Sequence, residues 1–268
     1  MPDETVIRTN ASLIGSALVD DRVAIVQPVQ FSRVSPHAVQ PLQLQPSSGA
    51  IQPGNTAVFK IRRQGDHITR IKLCATARSL SALNTSGKIT GSTYIRYPDY
   101  AAQVFVKEVR IRYNSTRLQV IRPTELLLHM EHYMNDEEKE AAKFFALGGM
   151  TDFQRGQAAM ADQNWQLPLY TSFVHYDPSN AIFVDGLANE MEVEFDFETR
   201  ANFIQTDGTV TLSGIDADSA TSPAWFSNGY LQVEYLHVTE RRRQQMVALY
   251  ANPEGIRHLF NEFQVWLP

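Results

Sequence analysis

Residues 167–197 read LPLYTSFVHYDPSNAIFVDGLANEMEVEFDF, and the last seven of them decide the fold. Met191, Val193, Phe195 and Phe197 alternate with Glu192, Glu194 and Asp196, and Glu198 continues the pattern. A period of two puts apolar side chains on one face of a β-strand and carboxylates on the other. Like charges on one face repel, so this face needs water, counterions or a basic surface against it. Residues 231–243, LQVEYLHVTERRR, repeat the pattern: Leu231, Val233 and Tyr235 face one way, Gln232 and Glu234 the other.

Working outward, more strands follow. Ala57, Phe59 and Ile61 alternate with Val58, Lys60 and Arg62; beyond a Gly65-Asp66 turn, Ile71, Leu73 and Ala75 alternate with Lys72 and Thr76. The two segments read as a hairpin-like pair. Val109, Ile111 and Tyr113 alternate with Glu108, Arg110 and Arg112 ahead of an Asn114-Ser115 turn. Two helical stretches are expected as insertions between strands. One starts at Pro123-Thr124-Glu125; a second runs through NDEEKEAAKFFALGGM, capped by Asn135 and ended by Gly148-Gly149. Residues 205–223 read as a short strand plus loop, and PEGIRHLFNEF as a helix from Pro253. Residues 1–55, rich in Gln, Pro, Ser and Val, form either an extended N-terminal arm or the first strands, and residues 56–268 the main domain.

Composition narrows the function. With 43% hydrophobic residues, including 14 Phe and 10 Tyr, the 268-residue chain can bury the core of one large all-β domain and is not disordered. A net charge of −5 disfavours direct nucleic-acid binding, which needs a basic face. No stretch approaches the ~18 apolar residues of a membrane span, and MPDETVIRTN lacks a signal pattern, so a soluble chain is expected. The single cysteine, Cys74, has no intrachain partner and suits a reducing compartment.

Candidate chemistry is sparse. His129 and His132, with Glu131 and Glu125, present a helical face with metal-ligand residue types, but most such histidines sit at surfaces or interfaces. Asp207, Asp216 and Asp218 lack calcium-loop spacing. No phosphate loop, nucleophile elbow or His-x-His pair is present, so no enzyme, metal site or cofactor is expected. Arg241, Arg242 and Arg243 form the densest basic cluster. They read either as an intersubunit patch facing acids such as those at 192–198 or as a solvated helix start. Phe263, Val265, Trp266 and Leu267 either close the sandwich or dock on a partner. Trp225, Phe226 and Tyr230 offer a glycan platform or lead into the last strand as core. Asn10, Asn84 and Asn114 begin glycosylation acceptor triplets.

A series of motifs adds a resemblance. Arg63-Gln64-Gly65-Asp66-His67-Ile68 opens it, followed by Leu167-Pro168-Leu169 with Phe173, the turn Asp177-Pro178, and the segment Leu187 to Val193. Tyr235-Leu236-His237-Val238-Thr239-Glu240-Arg241-Arg242 and the element from Leu259 to Gln264 close it. In this order the motifs resemble the major capsid protein family of the nucleocytoplasmic large DNA viruses, in the first of its two tandem jelly rolls. Thr171-Ser172 stands where that family carries an aromatic pair, and residues 183–186 replace its usual Pro-Leu.

The resemblance implies an all-β jelly-roll sandwich of two antiparallel sheets and about eight strands, with short helical insertions. It implies a structural, non-enzymatic capsid subunit of a large icosahedral double-stranded DNA virus, located in the virion. Its partners would be itself and other capsid proteins, near an inner viral membrane. No internal repeat appears, so a second jelly roll is expected to be absent. A vertex (penton) subunit, another minor component, a single-jelly-roll shell protein or a separated half of a larger protein all fit. The rivals are a glycan-binding host-attachment module and an enzyme on the same fold.

Overall fold

The computed structural model describes residues 37–80, 89–90, 94–134, 136–171, 181–199, 202, 204–206, 209–210 and 225–251. Eight principal strands carry the architecture: β1 (His37–Leu44), β2 (Thr56–Ile61), β3 (His67–Ala77), β4 (Val106–Tyr113), β5 (Thr116–Ile121), β6 (Gln163–Leu169), β7 (Met191–Phe197) and β8 (Phe226–Val238). One sheet has the order β1-β8-β3-β6 and the other β2-β7-β4-β5, with the two-residue strand Ser48–Gly49 along the edge of β2.

The pairing has a simple logic. β4 pairs with β5, β3 with β6, β2 with β7 and β1 with β8, each antiparallel. The chain is thus one long set of nested hairpin pairs with its tip at Asn114-Ser115, both at positive φ. Rolling that ribbon adds the pairs β8 with β3 and β7 with β4, and gives a jelly roll.

One expectation is corrected. β2 and β3 are not a hairpin, because they belong to opposite sheets. The Gly65-Asp66 turn crosses from one sheet to the other: Asp66 donates its N–H to the Leu236 carbonyl at 3.0 Å, and a Cβ on Gly65 would lie 2.5 Å from that of Tyr235. The turn is packed on β8, and an alternating pattern alone names a strand without naming its neighbour.

The core lies between the sheets. From one side come Ala57, Phe59 and Ile61 of β2, Val109 and Ile111 of β4, and Val193, Phe195 and Phe197 of β7. From the other come Ile71 and Leu73 of β3, Trp165 and Leu167 of β6, and Leu231, Val233 and Tyr235 of β8. Phe59 meets Phe195 edge-on at 5.7 Å, and Phe105 stacks on Phe197 at 4.5 Å. Each buried aromatic contributes on the order of 1.5–3 kcal/mol.

Helices fill the connections: α1 (Ala101–Val104), α2 (Pro123–Tyr133), α3 (Asp136–Ala146), α4 (Asp152–Ala158) and α5 (Glu240–Tyr250). α2 to α4 form the expected insertion, between β5 and β6. The turn that ends α3 departs in detail from the expected Gly-Gly stop. Leu147 takes the first left-handed conformation, at φ 56°, and Gly148 donates its N–H to the Lys143 carbonyl at 2.9 Å. Gly148 is small because a Cβ there would sit 2.3 Å from the Tyr100 ring. α4 is additional. Its capping box pairs the Gln154 N–H with Thr151 Oγ1 at 3.4 Å and the Thr151 N–H with Gln154 Oε1 at 2.9 Å. The helix read at 253–263 lies outside the described residues.

Candidate functional site

Among the described residues, three features stand out chemically. The first is the outer face of the second sheet. Register sets Glu194 of β7 opposite Arg110 of β4, Glu192 between Lys60 and Arg112, and Asp196 between Thr56 and Glu108. Arg110 pairs with Glu108 at 2.6 Å and also with Glu194 and Asp196. Arg112 reaches Glu194 at 2.8 Å, Lys60 lies 3.8 Å from Glu192, and the Thr56 hydroxyl donates to Asp196 at 2.7 Å. Glu194 is only 8% exposed and holds two guanidiniums. The basic surface that the acidic stripe requires is the adjacent strand of its own sheet. The Glu-x-Arg-x-Arg pattern at 108–112 was the signal for it.

The second feature is a joint where the β2–β3 turn, residues 181–186 and α5 converge. Asp66 is 2% exposed; it accepts the Val238 N–H and the Arg243 Nε–H, each at 2.7 Å. Arg243 also lies 3.5 Å from Asp185. The hydrogen bond and charge of Asp66 raise the Arg243 pKa. Next to Asp66, the buried His67 ring sits 5.3 Å from Phe183, with Nδ1 3.1 Å from the Ala181 carbonyl. Burial lowers its pKa. Tyr250, at the end of α5, packs 5.3 Å from Phe183 and accepts the Phe183 N–H at 3.2 Å.

The third is an open cleft of about 750 Å³ among Lys60, Arg62, Arg63, Asn114, Asn189 and Glu190. Its lining mixes both charges with amides.

The structure sorts the other residues singled out in the sequence. Arg241 and Arg242 are exposed at the start of α5, whereas Arg243 turns inward to Asp66. Within the chain, the described β7 carboxylates meet Arg110, Arg112 and Lys60, not this cluster. His129 stacks on Tyr170 at 3.9 Å, with burial lowering its pKa; the side chain of His132 is outside the described set. No group of three His, Cys, Asp or Glu among the described residues is arranged to hold a metal. Trp225 and Phe226 are buried against the core, so neither offers a glycan platform. Cys74 is buried, and burial pushes its thiol pKa up. Asn114 is exposed in the β4–β5 turn. Phe263, Val265, Trp266, Leu267, Asp207, Asp216, Asp218, Asn10 and Asn84 lie outside the described residues. No helix among the described residues is long and apolar enough to cross a membrane.

Nested strand pairs, an aromatic core and an ion-paired outer sheet define the class: a jelly-roll β-sandwich. Solved structures of that class are similar to it. PBCV-1 VP54, in a crystal structure fitted into a cryo-EM reconstruction of the virophage Sputnik, matches with a TM-score of 0.59 at 17% identity, over 84% of this chain and 48% of that one. The quasi-atomic model of the PBCV-1 virus capsid matches with a TM-score of 0.58 at 18% identity, over 83% and 47%. The Faustovirus major capsid protein matches with a TM-score of 0.58 at 12% identity, over 91% and 62%. The chain therefore spans about half the length of the PBCV-1 proteins and 62% of the Faustovirus protein. No curated protein matches.

Residues 28–234 match the family described as major capsid protein N-terminus, which is well over half of the chain. The chain belongs to that family, the one its ordered motifs resemble.

Proposed function

We propose that the chain acts by self-association, as a jelly-roll subunit that closes into capsomers or vertices of an icosahedral double-stranded DNA virus shell. The observation that carries this is the family match over residues 28–234 on a complete roll of eight strands. Closed oligomers bury subunit edges, and many weakly bonded oligomers then hold a shell collectively. The subunit performs no catalysis. Its neighbours are further copies and other capsid proteins, close to an inner viral membrane and without direct contact to nucleic acid. Assembly takes place in the reducing interior of the infected cell, which suits the buried thiol of Cys74.

Arg241 and Arg242, exposed on α5, and the apolar Phe263, Trp266 and Leu267 are the subunit-interface residues in this reading, while Arg243 positions the helix. Deleting residues 261–268 tests it. The expected result is a smaller oligomer by light scattering, with unchanged β-sheet circular dichroism; an oligomer of unchanged size would remove the tail from the interface.

A further inference from the structure

α5 leaves the end of β8 and packs against residues 184–186, yet none of its residues is buried. Two points hold it. Near its start, Arg243 reaches the buried carboxylate of Asp66, and at its end Tyr250 rests on Phe183 and takes the Phe183 N–H. Gly186 makes room for the second contact, since a Cβ there would lie 2.7 Å from the Tyr250 ring. Between the two anchors lies His67. Its ring packs on the same Phe183, and its backbone adjoins Asp66.

We propose that α5 is a proton-operated latch, closed while the buried His67 imidazole is neutral and released when that ring takes up a proton. Two charged groups act on the ring: Asp66, on its own turn, favours a charged ring, and Arg242 of α5 disfavours one. Next to them Arg243 is tied to Asp66, with Asp185 and Glu240 acting on Arg243, and the uncharged Tyr250 takes the Phe183 N–H. From β8 the opposing residue is the apolar Leu236, while His237 is turned to Gln40 at 3.1 Å.

Burial opposes charge on His67 most strongly and Arg242 adds to that, against the Ala181 carbonyl and Asp66. An imidazolium at this place is a buried cation beneath the arginine-bearing end of the helix. Lifting α5 off Phe183 admits water to the ring and separates it from Arg242, so the open form binds the proton more tightly. Linkage then requires the proton to favour the open form. The inference rests on this joint and not on the capsid role, so either can fail without the other.

The test is hydrogen exchange of the full chain, corrected for intrinsic rates, at about pH 7.5 and about pH 5, the range in which an imidazole changes charge. The latch predicts that the amides of α5 are protected at the higher pH and exchange severalfold faster at the lower, while β4 and β7 stay unchanged. His67→Gln should flatten the response. Arg243→Gln, which leaves the imidazole in place, should expose α5 at both pH values. Equal protection of α5 at both pH values, an α5 already open at the higher pH, loosening of the whole sandwich in step with the helix, or a closed α5 in Arg243→Gln would each overturn the latch.

Discussion

The two faces of β7 are held by different physics. Inward, Val193 and Phe195 are buried among aromatic and branched side chains from both sheets, where the stabilising quantity is apolar area and no single partner is essential. Outward, Glu192, Glu194 and Asp196 are each tied to named groups on the flanking strands, and the order of charges fits one register. A slip of one residue would bring carboxylates into the core and phenyl rings to the surface. The inner face therefore supplies most of the stability, and the outer face selects which strands lie beside β7.

Breaking the inner face should cost most. Phe195→Ala removes a ring packed on Phe59 and Phe197, and an expected loss of about 3–5 kcal/mol in denaturant unfolding follows from cavity formation. Arg110→Met tests the outer face at its centre. It leaves Glu194 with Arg112 and strips Asp196 of its cation, so a loss of about 1–3 kcal/mol is expected; adding Asp196→Asn, which removes the unpaired charge and keeps an acceptor for the Thr56 hydroxyl, should restore part of it. An equal loss for Lys60→Gln would erase the distinction between centre and rim. Lys60 is 51% exposed and 3.8 Å from Glu192, so its removal should cost less than about 0.5 kcal/mol.

A pH titration separates both faces from the joint beneath α5. His67 has a lowered pKa when folded, so the unfolded chain binds more protons as pH falls. The stability contribution of a neutral His67 is thus complete above about pH 6.5 and is lost as pH drops through the folded-state pKa. Thermal melts of wild type and His67→Gln should diverge at high pH and converge as the medium becomes acidic.

Strand faces were legible in the sequence because alternation is local: β7, β4 and the inner face of β8 can be read residue by residue. Partners were not, because pairing is set by long-range packing. Ile61 and Ile68 flank one short turn yet belong to opposite sheets, and the Gly65-Asp66 turn reads the same for either route. α4 hides in a seven-residue segment whose one clear mark is Thr151-x-x-Gln154. Of the candidate surfaces, Arg110 was recoverable by matching the charge order of 108–112 with that of 192–196. The contact between Asp66 and Arg243 joins residues 177 positions apart and left no local trace beyond an arginine cluster that also fits a solvated helix start. The family was readable because its motifs are spread along the chain and their order survives where each alone is weak.

Native mass spectrometry across protein concentration and salt tests the central claim most directly. A self-associating capsid subunit gives a discrete oligomer, a pentamer for a vertex or a trimer or hexamer for the main shell. A monomer that persists at every concentration and salt would contradict it.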